Sequence, residues 1–385
     1  MYICYNFIVE KTNIFNGKTI ILGLTGALTC FKICPLISRL KKEGARFRIV
    51  ASENALNFIT KTTLQTLAKT EVLTSQFNPK KFDEKHKSLA EEGDIFLLAP
   101  ATAHTISQVA NGVADNLLTS VLCAWQKPLL IAPAMNQGMW FNPSTQANIS
   151  ALKKRGAIVM NALKGALPDI DLIYTELERI LKVNQNLKGK KVLITNGNTE
   201  EFFGEGTCIC QLPKTDLGKH LADMAYLRGA EITLVTTKIF DAPYEQILVK
   251  DTEHMRQTVS KNISKTDYFF MAATLAPLKP NILKTGAELG VPSQEMLLTL
   301  VKNNDFFPAL CSQKKPHQIF AWITEKSEYD KKSKRAPKGC DFLVEAALQN
   351  SAEDSIFVKH GLRTIIEKKA TRQELAAQIF ELMFR

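Results

Sequence analysis

The chain has 385 residues, a formal net charge of +11 and a hydrophobic share of 45%. That length points to two domains with real cores, and the charge favours acidic small-molecule partners such as phosphates and nucleotides over any particular fold. No segment stays apolar for the roughly 18 residues that a membrane helix needs, and Phe7, Ile8 and Val9 are too short a run for a secretory leader.

Predicted elements alternate between strand and helix. Met1 to Gly17 reads as an extension before the first strand. Thr19 to Leu22 is a strand ending at Gly23, and Phe31 to Lys42 is a helix with Ile33, Leu36, Ile37 and Leu40 on one face. Further strands are predicted at Phe47 to Val50, at Asp94 to Ala99 before Pro100, and at Pro128 to Ala132 before Pro133. A polar stretch, 184–190, separates residues 18–183 from residues 191–385. The second part opens with a strand at Lys191 to Thr195. It continues with a helix from Leu217 to Gly229, strands at Ala230 to Val235 and Tyr268 to Met271, and a closing amphipathic helix from Thr371 to Phe384. The fold class is therefore α/β, with two doubly wound domains whose sheets are mostly parallel. Ligands in such sheets sit beyond the carboxyl ends of the strands.

The residues that follow the strands carry the chemistry. Gly23-Leu-Thr25-Gly26 allows backbone N–H groups to approach a phosphate, and equally describes a plain tight turn. Ser52 is a phosphate contact or a cap for the next helix. Ala99-Pro100-Ala101-Thr102-Ala103, Asn111-Gly-Val-Ala-Asp115 and Pro133-Ala-Met135-Asn136-Gln-Gly-Met139-Trp140 follow in turn. An asparagine directly after a buried strand is not explained by packing, and its amide can bind a carboxylate. Eight cysteines are present without paired metal spacing; Cys208 and Cys210 are too close for a zinc knuckle, which leaves reduced thiols in a reducing compartment. The basic run Lys331, Lys332, Lys334, Arg335 and Lys338 reads as a solvated loop or a phosphate-binding one.

Taken together, Gly23-x-Thr25-Gly26 with Lys32, His86-x-x-Leu-Ala90, Ala99 to Ala103, Asn111 to Asp115 and Pro133 to Trp140 resemble the flavin-containing cysteine decarboxylases in order and spacing. The likeness is greatest to the first half of the bifunctional enzymes of coenzyme A synthesis. The resemblance implies a flavodoxin-like first domain that binds FMN through Gly23, Thr25, Gly26, Ser52, Ala99, Pro100, Ala101, Thr102 and Met135. It implies His86 and Asn136 as the catalytic pair, with Asn111, Asp115 and Met139 at the substrate, phosphopantothenoylcysteine. It also implies a cytoplasmic homotrimer or higher homo-oligomer with no nucleic-acid or membrane partner. The family's flap cysteine has no counterpart in the stretch Asn161 to Ile170, which leaves open a second reading: another cysteinyl substrate, released as an enethiol. A third is a non-catalytic flavoprotein scaffold, against which His86 stands.

The Rossmann-like second domain resembles the phosphopantothenate–cysteine ligase half. Thr199-x-Glu201, Gly218, Leu300 to Asp305 and Lys338-x-x-Asp341 match its outline, and CTP and Mg2+ are the implied ligands, with Asp305 and Lys338 at the nucleotide. Its motifs are eroded: Gln211 stands for an asparagine, Ala276 for an aspartate and Gly290 to Ser293 for a lysine run.

Overall fold

The computed structural model describes residues 14–75, 85–161, 166–182, 185–204, 206–211, 216–281, 298–325, 336–347, 354–360, 363–370 and 372–384. Expectations for the first residues of the chain, part of the Asn161 to Ile170 stretch, Gly290 to Ser293 and the basic residues Lys331 to Arg335 fall outside them. The chain divides into two compact units, Glu10–Val183 and one that contains Asn184–Arg385.

The first unit is built on β1 (Thr19–Leu24), β2 (Arg46–Ala51), β3 (Val72–Leu73), β4 (Ile95–Ala101), β5 (Leu129–Pro133) and β6 (Ile158–Val159). All pair in parallel, in the order β3-β2-β1-β4-β5-β6. This is the six-stranded doubly wound order, where a strict flavodoxin order would be 2-1-3-4-5; both place a ligand crevice where the winding reverses, here between β1 and β4.

Successive strand residues face opposite sides. Ile20, Leu22, Ile49, Ile95 and Leu97 pack with α1 (Ile33–Lys42), α2 (Lys61–Ala68) and α8 (Ile170–Leu181). Ile21, Val50, Phe96, Leu98 and Ile131 pack on the other side with α3 (Lys85–Glu92), α4 (Ala103–Ala110), α5 (Leu117–Ala124) and α7 (Pro143–Lys154). A single turn, α6 (Gln137–Trp140), follows β5. Burial on both faces explains why these strands read as continuous apolar runs.

In the second unit β7 (Lys191–Asn196), β10 (Glu231–Thr236), β11 (Glu245–Leu248), β12 (Tyr268–Met271), β15 (Ile319–Glu325), β16 (Phe342–Ala347), β17 (Asp354–His360) and β18 (Arg363–Ala370) form one sheet. Its order is β11-β10-β7-β12-β15-β16-β17-β18, parallel as far as β16 and antiparallel at its last two pairings. Two short ribbons stand apart: β8 (Glu201–Gly204) with β9 (Thr207–Ile209), and β13 (Leu278–Pro280) with β14 (Leu300–Lys302). Helices α9 (Leu217–Leu227) and α12 (Arg372–Met383) cover one face through Leu221, Ala225, Ile379 and Phe380. Helices α10 (Thr252–Asn262) and α11 (Phe307–Ser312) cover the other through Met255, Val259, Phe307 and Cys311.

One small device recurs in both units. The Asp94 N–H donates to Thr19 O at 2.8 Å, while Asp94 Oδ2 accepts the Thr19 N–H at 2.8 Å. Asp267 makes the same pair of bonds with Lys191, at 2.9 and 2.8 Å, and Asp341 with Phe320, at 2.9 and 2.7 Å. Each aspartate stands just before a strand and joins it to the entrance of its neighbour.

Candidate functional site

Four loops meet at the carboxyl ends of β1, β2, β4 and β5, and backbone bonds stitch them together. The Ser52 N–H donates to Leu24 O at 2.9 Å, the Thr25 N–H to Pro100 O at 3.3 Å, and the Ala134 N–H to Ala101 O at 2.9 Å. Thr25 is buried and works in the same seam. Its hydroxyl donates to Pro100 O at 2.7 Å and accepts the Thr102 N–H at 3.0 Å. Thr25 therefore positions the β4 loop, whose Ala99–Pro100 peptide is cis.

The two glycines serve different ends. A Cβ on Gly23 would lie 2.8 Å from both Leu118 and Phe96, so core packing requires that glycine. A Cβ on Gly26 would lie 2.7 Å from Asn54 Cβ, which keeps the β1 and β2 loops in contact. Ser52 is a cap: its Oγ accepts the Ala55 N–H at 3.3 Å. Thr102 caps α4 by accepting the Thr105 N–H at 3.4 Å. One hydroxyl of this rim escaped sequence reasoning. Thr29 Oγ1 is buried without a hydrogen-bond partner among the described residues, in the turn that follows Gly26. The seven-residue run Gly23 to Thr29 was read only as far as Gly26, and a second threonine there is the signal that could have found it. An unpaired buried hydroxyl beside a glycine turn fits a phosphate that supplies the missing acceptor.

Asn136 follows β5 and caps α6. Its Oδ1 accepts the Met139 N–H at 2.8 Å, which fixes the amide and leaves Nδ2 as a donor on an exposed side chain. Met135 and Trp140, on either side, are buried, and Met139 is partly exposed. His86 is the second residue of α3, partly buried. Helix α3 leads into the start of β4. No hydrogen bond among the described residues joins the two side chains.

Asn111 and Asp115 lie in the α4–α5 loop and are exposed. Their polar atoms are used within the domain. Asn111 Nδ2 donates to Ser107 O at 2.8 Å, and Asp115 accepts from Gln108 at 2.9 Å and Asn116 at 2.7 Å. Among the described residues no hydrogen bond links them to the rim that holds Asn136.

The second unit has a cavity of about 250 Å3 at its own carboxyl rim, lined among others by Gln211, Thr274, Ala276, Asn303 and Asp305. Beneath it, Asn303 Nδ2 donates to Glu201 Oε1 at 2.8 Å and to Thr252 Oγ1 at 3.0 Å, and Thr199 Oγ1 accepts the Ala276 N–H at 2.8 Å. A Cβ on Gly218 would approach Thr195 O to 2.6 Å, so only glycine lets α9 start this close to β7. Lys338 is not at this cavity. It is exposed in the turn before Asp341, which bonds the amino end of β15, at the opposite rim of the sheet. Lys338 and Asp305, both expected at the nucleotide, are therefore not brought together: the Lys-x-x-Asp pattern marks a strand entrance. Among the described residues no group of three or more His, Cys, Asp or Glu side chains is placed to hold a metal ion, and no helix is long and apolar enough to cross a membrane.

Comparison with known proteins agrees with this two-part construction. Residues 9–186 match the Flavoprotein family model, and residues 187–384 match the DNA/pantothenate metabolism flavoprotein C-terminal domain. The coenzyme A biosynthesis bifunctional protein CoaBC of Mycobacterium tuberculosis is 30% identical over 362 residues, spanning 85% of each chain. Its counterpart in Vibrio vulnificus is 30% identical over 394 residues, 95% of this chain and 98% of that one. The chain belongs to the bifunctional coenzyme A biosynthesis family. The Bacillus subtilis member is likewise 30% identical, over 86% of each chain. Among solved structures, a mutant PPC decarboxylase covers 42% of this chain and 95% of its own, at 30% identity and a TM-score of 0.37.

Proposed function

We propose that the first unit is an FMN-dependent decarboxylase that converts phosphopantothenoylcysteine to phosphopantetheine. The observation that carries this reading is the stitched rim: the loops after β1, β2, β4 and β5 are bonded together, Thr29 keeps a buried hydroxyl without a partner among the described residues, and Asn136 follows β5 with its Oδ1 committed to the α6 cap and its Nδ2 left as a donor. Gly26, Thr29, Ser52 and Thr102 would hold the flavin phosphate, and Met135 and the Ala99 to Ala101 segment its ring. Bound FMN supplies a two-electron acceptor for the cysteinyl group of the substrate.

The chain's own residues do the rest. Asn136 Nδ2 donates to the substrate carboxylate and holds it in place. A carboxylate held by a neutral amide is not pinned by a cation, so it can lose its charge as CO2 while the C–C bonding pair stays on the substrate carbon. His86 takes the thiol proton at its imidazole. The electron pair left by CO2 is held next to sulfur as an enethiolate. Reaching phosphopantetheine then requires the two electrons to return from the reduced cofactor to the enethiolate carbon, with one proton at carbon and one at sulfur. With no cysteine in the stretch Asn161 to Ile170, another group or water must deliver the proton that this return needs.

The protein acts in the cytoplasm as a homotrimer. Leu28, Phe31 and Phe141, 72%, 57% and 60% exposed beside the rim, support an apolar contact between copies. The second unit is ligase-like. Its cavity would take CTP with Mg2+, with Asp305 at the mouth, while Gln211 and Ala276 stand where the family's ligase uses other side chains.

The test is to record the flavin absorption of the purified protein, add phosphopantothenoylcysteine and follow the product by mass. Phosphopantetheine supports the full reaction. A product two hydrogens lighter means that decarboxylation stops at the enethiol, and a colourless protein overturns the flavin site. Titration with CTP and Mg2+, in the same preparation, tests the second unit separately.

A further inference from the structure

Two thiols that neither site uses face each other in the second unit. Cys311 lies near the end of α11 and is only 3% exposed; Cys340 lies in the turn before β16 and is partly exposed. Gly339 brings the two segments together. Its φ is +92°, and a Cβ there would sit 2.4 Å from Cys311 O and 3.5 Å from Cys311 Cβ, so glycine alone permits this approach. Cys340 packs against the apolar cluster that contains Cys311. Their neighbourhood is clamped by the Lys314–Asp341 ion pair at 2.5 Å and by the Asp341 bond to the Phe320 N–H at 2.7 Å.

We propose that Cys311 and Cys340 are a redox-active pair that closes to a reversible disulfide and ties α11 to the entrance of β16. As a thiol Cys340 donates to Phe342 O at 3.1 Å and lies 3.6 Å from Phe320 O. The neighbouring Cys311 thiol, above all, draws the Cys340 thiol below its ordinary pKa. Cys340 is the more exposed sulfur and meets an oxidant from solvent first, and the buried Cys311 then resolves.

With a peroxide as oxidant, the Cys340 thiolate attacks the O–O bond, giving a sulfenic acid and releasing hydroxide. The Cys311 thiol then attacks that sulfur. An S–S bond forms and water leaves, so the two thiols lose the two electrons that the peroxide gains. A dithiol reverses the link. Helix α11 begins just after the Asn303 to Asp305 segment of the cavity. Closing the bond therefore restrains one wall of that cavity, whichever ligand it takes.

The experiment treats the full-length protein with dilute hydrogen peroxide, blocks free thiols, and digests it without reductant. The expected result is a Cys311–Cys340 linked peptide, two hydrogens lighter than its reduced parts, that dithiothreitol cleaves. Backbone exchange in residues 307–312 should slow by roughly tenfold on oxidation. Cys340→Ser and Cys311→Ala should each abolish both effects, and Cys34→Ser neither. Separate alkylation of Cys311 and Cys340 after the exposed Cys123 has been oxidised would overturn the proposal. So would a link that appears only after the protein is unfolded.

Discussion

Asn136 offers the sharpest separation of architecture from chemistry. Its Oδ1 caps α6 by accepting the Met139 N–H at 2.8 Å, and only Nδ2 remains for substrate. Asn136→Asp keeps the capping oxygen, and aspartate caps as well as asparagine. It replaces the donor with a second acceptor that carries charge. A hydrogen bond to a charged group contributes about 1.5–3 kcal/mol, and 1.36 kcal/mol is a factor of ten in rate. The loss of the bond alone should then lower kcat/KM for phosphopantothenoylcysteine by roughly 10- to 150-fold. Repulsion between two carboxylates some 4 Å apart adds up to about 4 kcal/mol at an effective dielectric of 20, less at an exposed site. A fall of at least 100-fold is expected, with the melting temperature and flavin spectrum unchanged. Single-turnover CO2 release, read beside a melting curve, measures both. Wild-type kcat/KM in the variant would refute the donor role, and a large loss of stability would mean that the cap was misjudged.

Other perturbations give equally direct readings. His86→Asn should retain the flavin spectrum and lose CO2 release; normal turnover would remove its role as base. Thr25→Val breaks the two buried bonds to the β4 loop and should cost about 1–3 kcal/mol, seen as a lower melting temperature and faster flavin release on dilution. Gly218→Ala forces a Cβ to 2.6 Å from Thr195 O and should destabilise the second unit by about 1–3 kcal/mol, leaving decarboxylation intact. Burial, helped by the bond to Glu43, pushes the Tyr174 phenol up to about 12. An acid whose folded pKa is raised stabilises below its unfolded value and loses that contribution as pH climbs to the folded one. The first unit should therefore lose stability between about pH 10 and 12, and Tyr174→Phe should flatten that part of an alkaline denaturation curve.

Much of the architecture was legible because buried parallel strands announce themselves. The runs at Thr19, Phe47, Asp94, Lys191 and Tyr268 all became strands. The ends of the second sheet were not legible in the same way. Its last two strands pair antiparallel, and their apolar runs, Ile356 to Val358 and Ile365 to Ile366, are only two or three residues long between charged residues such as Lys359, Lys368 and Lys369. The edge strands β3 and β6 are two residues long and leave no periodicity to read. In the site, residue types located the rim but not the division of labour along it. A threonine in a glycine turn reads as a phosphate contact until its hydroxyl is found bonded to Pro100 O and the Thr102 N–H. Lys338 misled for a related reason: a lysine three residues before an aspartate has the same spelling at a strand entrance as in a ligand loop.

The aspartates at those entrances have a consequence for how the sheets are assembled. A parallel strand displaced by two residues keeps its apolar side chains on the correct face, so hydrophobic patterning cannot detect that error. Asp94, Asp267 and Asp341 can. Each fits one backbone N–H of one neighbour, and a displaced strand gives up that bond, a loss of about 0.5–1.5 kcal/mol at the part-buried sites and less at the exposed Asp267 one. The partners of Asp94 and Asp267 lie 75 and 76 residues away in sequence, the separation at which misalignment is most available to a folding chain. Three carboxylates thus act as alignment marks, checking the pairing that greasy strands alone would leave degenerate.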